Sequence, residues 1–214
     1  MNTFRFPRVA LVVAGAVVLP LALSACSSDS SKDSSKDKSD SKPASSASAP
    51  KSDAMDTSKP FGPGCATVPK SGAGSFNGMA QDPVATAASH NPALSTLVTA
   101  VKKAGLVDTL NNAQNITVFA PTNDAFNKIP KAQLDKVLAD KAMLTKILTY
   151  HVVGQKLAPK QLENGSYPTL EKGTLTTAGS GVSYKVNDTS SVVCGNVPTS
   201  NATVYIVDTV LMPK

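Results

Sequence analysis

The residues from Ile116 to Pro130, Ile-Thr-Val-Phe-Ala-Pro-Thr-Asn-Asp-Ala-Phe-Asn-Lys-Ile-Pro, oblige the chain to leave a strand and enter a helix within three positions. Ile116 to Phe119 are the β-branched and aromatic types that suit a buried pleated surface. Pro121 has no N–H to give a ladder and closes the strand. Thr122, Asn123 and Asp124 then offer oxygens to the orphan N–H groups of a helix start, and Phe126 and Ile129, three apart, share one helical face. A buried strand that turns this abruptly into a short helix needs a sheet with helices packed beside it.

The flanking sequence fits that demand. Asn91 caps and Pro92 opens a helix whose stripe is Leu94, Leu97, Val98 and Val101, and Gly105 ends it. After the central segment, Leu134, Val137 and Leu138 mark another helix. Asp140 restarts the register, because Met143, Leu144, Ile147 and Leu148 form a new stripe, so two helices meet at an N-cap. Tyr150-His151-Val152-Val153 switches to strand character. Beyond Gly154 come short strands with turn signals at Asn164-Gly165, Glu171-Lys172-Gly173, Gly179-Ser180-Gly181, Asn187-Asp188 and Asn201. Helices gathered early and strands gathered late predict an α+β fold of mostly antiparallel strands, and residues 65–214 are the length of one domain with a real core.

The segment Ile116–Pro130, a second segment Ala202-Thr203-Val204-Tyr205-Ile206-Val207-Asp208-Thr209-Val210-Leu211-Met212-Pro213, and the Tyr150-His151 pair between them resemble, in order, the signatures of the fasciclin-type domain. The resemblance spans roughly Gly78 to Lys214. It implies a compact wedge of strands with a helical layer, and an extracellular adhesion and binding module with no catalytic role. Tyr150 and His151 match a pair proposed to contact integrins in animal fasciclin-type domains, so they stand, with Asp124, as candidate interaction or core polar residues. No Arg-Gly-Asp occurs and one domain replaces several, which separates this chain from the animal pattern. From the residues alone, His151 sits where a helical stripe gives way to a strand. A buried imidazole there needs partners for both nitrogens, with Asp124 or a backbone carbonyl as candidates. Asp124 itself is expected to satisfy N–H groups at its helix start.

The first sixty residues read as a delivery system. Arg5 and Arg8 precede an uncharged run from Val9 to Leu23, and Leu23-Ser24-Ala25-Cys26 resembles a bacterial lipobox. Residues 1–25 are thus expected to be a lipoprotein signal peptide, with Cys26 acylated and anchoring the protein in the membrane, facing the extracytoplasmic side, or released outside the cell. The two or three fatty chains of such a lipoprotein anchor stably, at about 0.8 kcal/mol per buried methylene. Residues 26–64 are the lipidated cysteine and a Ser/Lys/Asp/Pro-rich linker that buries too little apolar surface to order itself. As a coil it would reach on the order of 30 Å, and stretched roughly 110 Å. Its lysines and aspartates balance from Asp29 to Lys59, so it is not a polybasic arm, and its composition also suits an O-glycosylated stalk.

With Cys26 assigned to lipid, Cys65 and Cys194 remain, and an even pair in an exported protein is expected to form a disulfide. Losing Arg5 and Arg8 with a leader lowers the formal charge from +6 to +4. No arginine follows residue 8 and no tryptophan occurs, so the bidentate phosphate contacts and stacking platforms of a nucleic-acid binder are missing. The search for chemistry is nearly empty. Gly72-Ala73-Gly74-Ser75-Phe76-Asn77-Gly78 has its third glycine one place late for a dinucleotide loop and reads as a flexible lead-in. Ser75, Ser180 and Ser183 each lack a flanking glycine of a nucleophile elbow. His90 stands at a helix break, and Asn201-Ala202-Thr203 is a fortuitous glycosylation sequon. No catalytic, cofactor or metal residues are assigned.

The chain as a whole resembles the fasciclin-domain surface lipoproteins and secreted antigens of mycobacteria and other actinobacteria. That implies adhesion to an extracellular protein or glycan, contact with a host receptor, and detection of the acylated N-terminus by innate lipoprotein receptors. The rival reading is an envelope carrier of a small apolar ligand or lipid, which requires a pocket of several hundred cubic ångströms.

Overall fold

The computed structural model describes residues 59–213; the leader, Cys26 and most of the linker lie outside them. Within these residues the helices α1 (Phe76–Met79), α2 (Val84–Ser89), α3 (Ser95–Ala104) and α4 (Val107–Asn112) lead into strand β1 (Ile116–Pro121). Then come α5 (Asn123–Asn127), α6 (Lys131–Ala139), α7 (Lys141–Tyr150), β2 (Val152–Val153), β3 (Asn164–Pro168), β4 (Thr174–Ser180), β5 (Ser183–Val186), β6 (Ser190–Pro198) and β7 (Ala202–Val207). The helix boundaries follow the capping chemistry. Asn91 Oδ1 accepts from Ala93 N at 3.0 Å and opens the 3-10 turn Pro92–Leu94 that runs into α3, and Gly105, at φ 73°, ends α3 in the left-handed region. Asp140 Oδ1 accepts from Ala142 N and Met143 N, separating α6 from α7.

The described strands form one sheet in the order β2-β1-β7-β6-β5-β4-β3, a mixed α+β arrangement. Every neighbouring pair is antiparallel except β1 and β7, which run parallel from Ile116↔Ala202 to Pro121↔Val207. Past β3, Thr169 bridges back to Val153 on β2 and Leu170 N donates to Val152 O, so the sheet almost closes on itself. Near-closure protects the short β2 edge from pairing with other chains.

Every residue of β1 and β7 is buried, and side-chain alternation divides them between two cores. Ile116, Val118 and Ala120 with Ala202, Val204 and Ile206 face the helices. Phe119, Tyr205 and Val207 face the inside of the curled sheet, with Leu175, Tyr184 and Val186. Strands buried on both faces must be continuously apolar, which is what both signature segments show. Phe119 and Tyr205 stack with centroids 5.7 Å apart, and the Tyr205 hydroxyl, its pKa pushed up by burial, donates to Leu157 O at 2.9 Å.

Two local expectations change. Asn164-Gly165 does not turn: it begins β3, because a Cβ on Gly165 would lie within 2.4 Å of the Tyr167 ring, which folds back over it. The Gly72–Gly78 segment is no loose lead-in. Ser75 Oγ accepts from Gly78 N at 3.2 Å as the cap of α1, and a Cβ on Gly74 would meet His90 O at 2.3 Å, so the glycines allow close backbone packing.

The residues just ahead of Cys65 pack on the sheet as well. Phe61 bridges Gly195 of β6, its N–H donating to Gly195 O at 3.1 Å and its carbonyl accepting in return at 2.8 Å, while its ring meets Tyr184 with centroids 5.5 Å apart. Gly62, at φ 108°, lies where a Cβ would meet Val193 O at 2.5 Å. The 3-10 turn Pro63–Thr67 follows, and the Cys65–Cys194 disulfide, with Cα atoms 4.8 Å apart across a separation of 129 residues, staples this strap to β6.

Asn201 at the β6–β7 turn holds the helical layer to the sheet. Its Oδ1 accepts from Val84 N at 2.8 Å, and its Nδ2 is shared by Leu110 O, Asn111 O and Ala113 O at 2.8, 3.2 and 2.7 Å. Asn201→Ala strands several buried groups at once, so denaturant unfolding should show a loss of about 3 kcal/mol. The pair Cys65→Ala and Cys194→Ala releases a long loop and should cost about 2–5 kcal/mol in the same assay. The expected Tm drop is about 2–4 °C per kcal/mol.

Candidate functional site

Tyr150 and His151 stand at the joint where α7 passes into β2, and the structure turns both inward, at 3% and 2% exposure. A side chain at this C-cap is enclosed by the last turn of the helix on one side and by the C-terminal segment on the other. His151 Nδ1 lies 2.8 Å from Ile147 O, one turn back, and Nε2 lies 2.9 Å from Leu211 N. The Leu211 N–H can only donate, so Nε2 accepts and Nδ1 carries the proton that it gives to Ile147. The imidazole is held neutral, its pKa lowered to about 4 by burial, with the Ile147 carbonyl working weakly the other way. Tyr150 OH donates to Thr174 O and accepts from Asn187 Nδ2, both at 2.9 Å, tying α7 to β4 and the β5–β6 turn. That turn, residues 187–189 between the paired Val186 and Ser190, uses Asn187 and Asp188 in the left-handed region at φ 50° and 58°.

These placements put Tyr150 and His151 in the core. Both residues spend their polar atoms inside the domain. Tyr150 only edges a shallow polar cleft of about 360 Å³ shared with Glu171, Gly173, Thr176, Asn187 and Asp188. Asp124 is neither partner to His151 nor cap: it is exposed, and among the described residues its carboxylate makes no hydrogen bond or ion pair. Thr122 Oγ1 caps α5 instead, accepting from Ala125 N at 3.2 Å. Asn123 reaches away from its own helix: Oδ1 accepts from Thr96 N at 2.9 Å and Nδ2 donates to Pro92 O at 2.9 Å, capping α3 from outside. Thr117, buried in β1, donates to Gln155 O and accepts from Leu157 N, both at 2.8 Å, and so fixes the loop after β2. Asp208 accepts from Ser191 N and Thr209 Oγ1 and pairs with Lys128 Nζ at 3.2 Å. Burial pushes its pKa up, but these partners outweigh it and hold the carboxyl below its ordinary value.

The helix-facing core contains a cavity of about 230 Å³ between α2, α3 and α4 on one side and β1 and β7 on the other. Its origin is the sequence of α2, Val-Ala-Thr-Ala-Ala-Ser, whose Ala85, Ala87 and Ala88 offer only methyl groups to the space over Val118 and Ile206. Asn91 is on the wall, with Thr86, Ser89 and Lys102 nearer solvent. The volume lies between the 150 Å³ that holds a benzene and the 300 Å³ or more usual for drug-sized ligands. Sequence reading located neither this cavity nor the roles of Asn123 and Asn201. A run of alanines in an amphipathic helix is the signal that could have shown the first. Among the described residues no group of three or more His, Cys, Asp or Glu is placed to hold a metal, and no helix is long and apolar enough to cross a membrane.

Comparison with known proteins adds three findings. The fasciclin domain family model matches residues 92–213. The chain is 46% identical over 183 residues to the cell surface glycolipoprotein MPB83 of Mycobacterium bovis, covering 80% of this chain and 82% of that one. It is 48% identical over 160 residues to the immunogenic protein MPB70 of the same species, covering 71% and 81%. Among solved structures, the FAS1 domain pair of the insect cell adhesion molecule fasciclin I aligns with a TM-score of 0.52 at 20% identity. That alignment covers 63% of this chain and about half, 52%, of that one, and it is a likeness of fold.

The neutral imidazole sets a pH dependence. Its folded pKa, about 4, is below its unfolded value of 6.5, so the unfolded chain binds the proton more tightly. The contribution is complete above pH 6.5 and is lost as pH falls towards 4, where protonation would set a donor against the Leu211 N–H. Urea unfolding at pH 7 and pH 4 should differ by about 3 kcal/mol from this group, and His151→Gln should flatten that part of the profile.

Proposed function

The chain belongs to the fasciclin domain family, and from that premise we propose that it is a cell-surface binding protein. In this reading Cys26 carries lipid, residues 26–64 are a spacer, and the single domain is presented outside the membrane to a protein or glycan partner. The observation that carries the reading is the pairing of Leu23-Ser24-Ala25-Cys26 with a domain 46% identical to a cell surface glycolipoprotein over most of both chains. The structure of the domain supports contact over turnover: its inward polar groups, His151, Tyr150, Thr117 and Asn201, are engaged in holding elements together. Among the described residues the large apolar side chains left exposed are Met143, Leu170 and Met212. In this reading the partner class is a host cell receptor or matrix component.

Expression of the full chain in an actinobacterial host tests the anchor. Wild-type protein should partition with membranes, be cut by protease added to intact cells, and show a mature N-terminus at Cys26 heavier by its acyl groups. Cys26→Ala should move it to the medium and remove that mass. Wild-type protein that stays in the cytosol, or a mature N-terminus elsewhere without lipid, contradicts the proposal.

A further inference from the structure

We propose that the cavity beneath α2 is a binding site for a small, largely apolar molecule that carries one neutral oxygen acceptor, such as a ketone or ester, and that Asn91 is the residue that recognises that oxygen. The inference goes beyond surface presentation and does not depend on it, since an anchored protein can contact partners whether or not this site is used.

Shape and lining set the class of ligand. The cavity is walled by Leu94, Leu97, Val101, Val118, Val204 and Ile206, all buried and apolar. Among the described residues no acidic side chain is on the wall, Lys102 is exposed at the rim, and His151, which also lines the space, has both ring nitrogens engaged by Ile147 and Leu211. Inside, a charged group would lose its hydration without gaining a partner, so the enclosed part of the ligand is neutral. An apolar body replaces nothing but dispersion contacts that the alanine face of α2 fails to make.

Asn91 supplies the directional element. It is 1% exposed, and its two polar atoms are used unequally. Oδ1 accepts from Ala93 N at 3.0 Å, which fixes the orientation of the amide by the demands of the cap. Nδ2 then carries both donors, is buried, and has no hydrogen-bond partner among the described residues. Elsewhere in the same layer the buried amide Nδ2 of Asn201 has three carbonyl acceptors, the usual state of such groups. A lone donor facing apolar walls holds water poorly, because a buried water needs about three partners. A ligand oxygen answers it with a single bond.

The matched probes are acetophenone and ethylbenzene, which share shape and differ by the carbonyl oxygen, titrated into isotope-labelled full-length mature protein and followed by NMR. Acetophenone should saturably shift the Asn91 side-chain amide and the methyl groups of Val118 and Ile206. Asn91→Ser keeps a capping oxygen at the helix start but withdraws the amide donor. It should weaken acetophenone about tenfold while leaving ethylbenzene within about twofold. Ala87→Leu, which fills the cavity from α2, should abolish binding of both probes while the spectrum remains that of a folded domain. The proposal is overturned if neither probe shifts these resonances, if the shifts map to another surface, or if Asn91→Ser weakens both probes equally.

Discussion

The parallel pairing of β1 with β7 is the constraint on which the other elements depend. These two strands are drawn from the middle and the end of the chain, and every residue of both is buried. Because their side chains alternate between two cores, a slip of one residue would send Phe119 and Tyr205 towards the helices and Val118 and Val204 into the curled sheet. The register is pinned by polar clips that belong to the same strands or their ends. Thr117 and the Tyr205 hydroxyl both grip the loop at Gln155–Leu157, and Asn201 grips α2 and α4. Parallel strands cannot be joined by a hairpin, so the connection between them must carry the rest of the sheet. The connection contains α5, α6 and α7 and the five strands β2 to β6.

Much of this was legible because it follows from local chemistry. Pro121, the capping threonine, Asp140 as a restart signal and Gly105 as a stop each act within a few residues, and each acts in the structure as the sequence implies. The apolar runs of both signature segments announce strands covered on two faces. What could not be read was any role that depends on a partner distant in sequence. Asn123 stands in a row of capping residues, yet it caps α3 and not its own helix. Asn201 looks like a turn residue, yet four of its partners lie about ninety or more positions away. Gly165 follows an asparagine as a turn glycine would, and is in a strand because the Tyr167 ring needs its empty face.

The candidate site shows the same division. His151 was legible as a buried imidazole that must satisfy two nitrogens, and the carbonyl one turn back is the partner that helical geometry supplies. Its second partner, Leu211 N, comes from the far end of the second signature segment. That bond joins the Tyr-His pair to the closing segment and explains in physical terms why the three motifs occur in one domain: they are parts of a single packed unit. Asp124, in contrast, was expected inside the network because it stands beside Thr122 and Asn123, and the structure leaves it in water. Proximity in sequence to capping residues did not decide its role; the direction of the helix face did.

The cavity persists for a reason that the same polar clips supply. A void of this size exposes lining atoms to lost contacts, and a helix as short and small as α2 would ordinarily settle onto the sheet and close it. Pro83, at the N-cap of α2, offers no side-chain acceptor, so the orphan N–H groups are served from outside: Val84 N by Asn201 Oδ1 and Ala85 N by Asn111 Oδ1 at 3.0 Å. Both asparagines are fixed by their own bonds, Asn201 to the α4 carbonyls and Asn111 to Thr86 Oγ1. Moving α2 inward would break these buried hydrogen bonds, each of which costs about 1–3 kcal/mol to leave unmade. The helix is therefore held at a set height by amide side chains while its alanines leave the floor uncovered. The polar frame and the apolar space beneath it are two consequences of one short sequence.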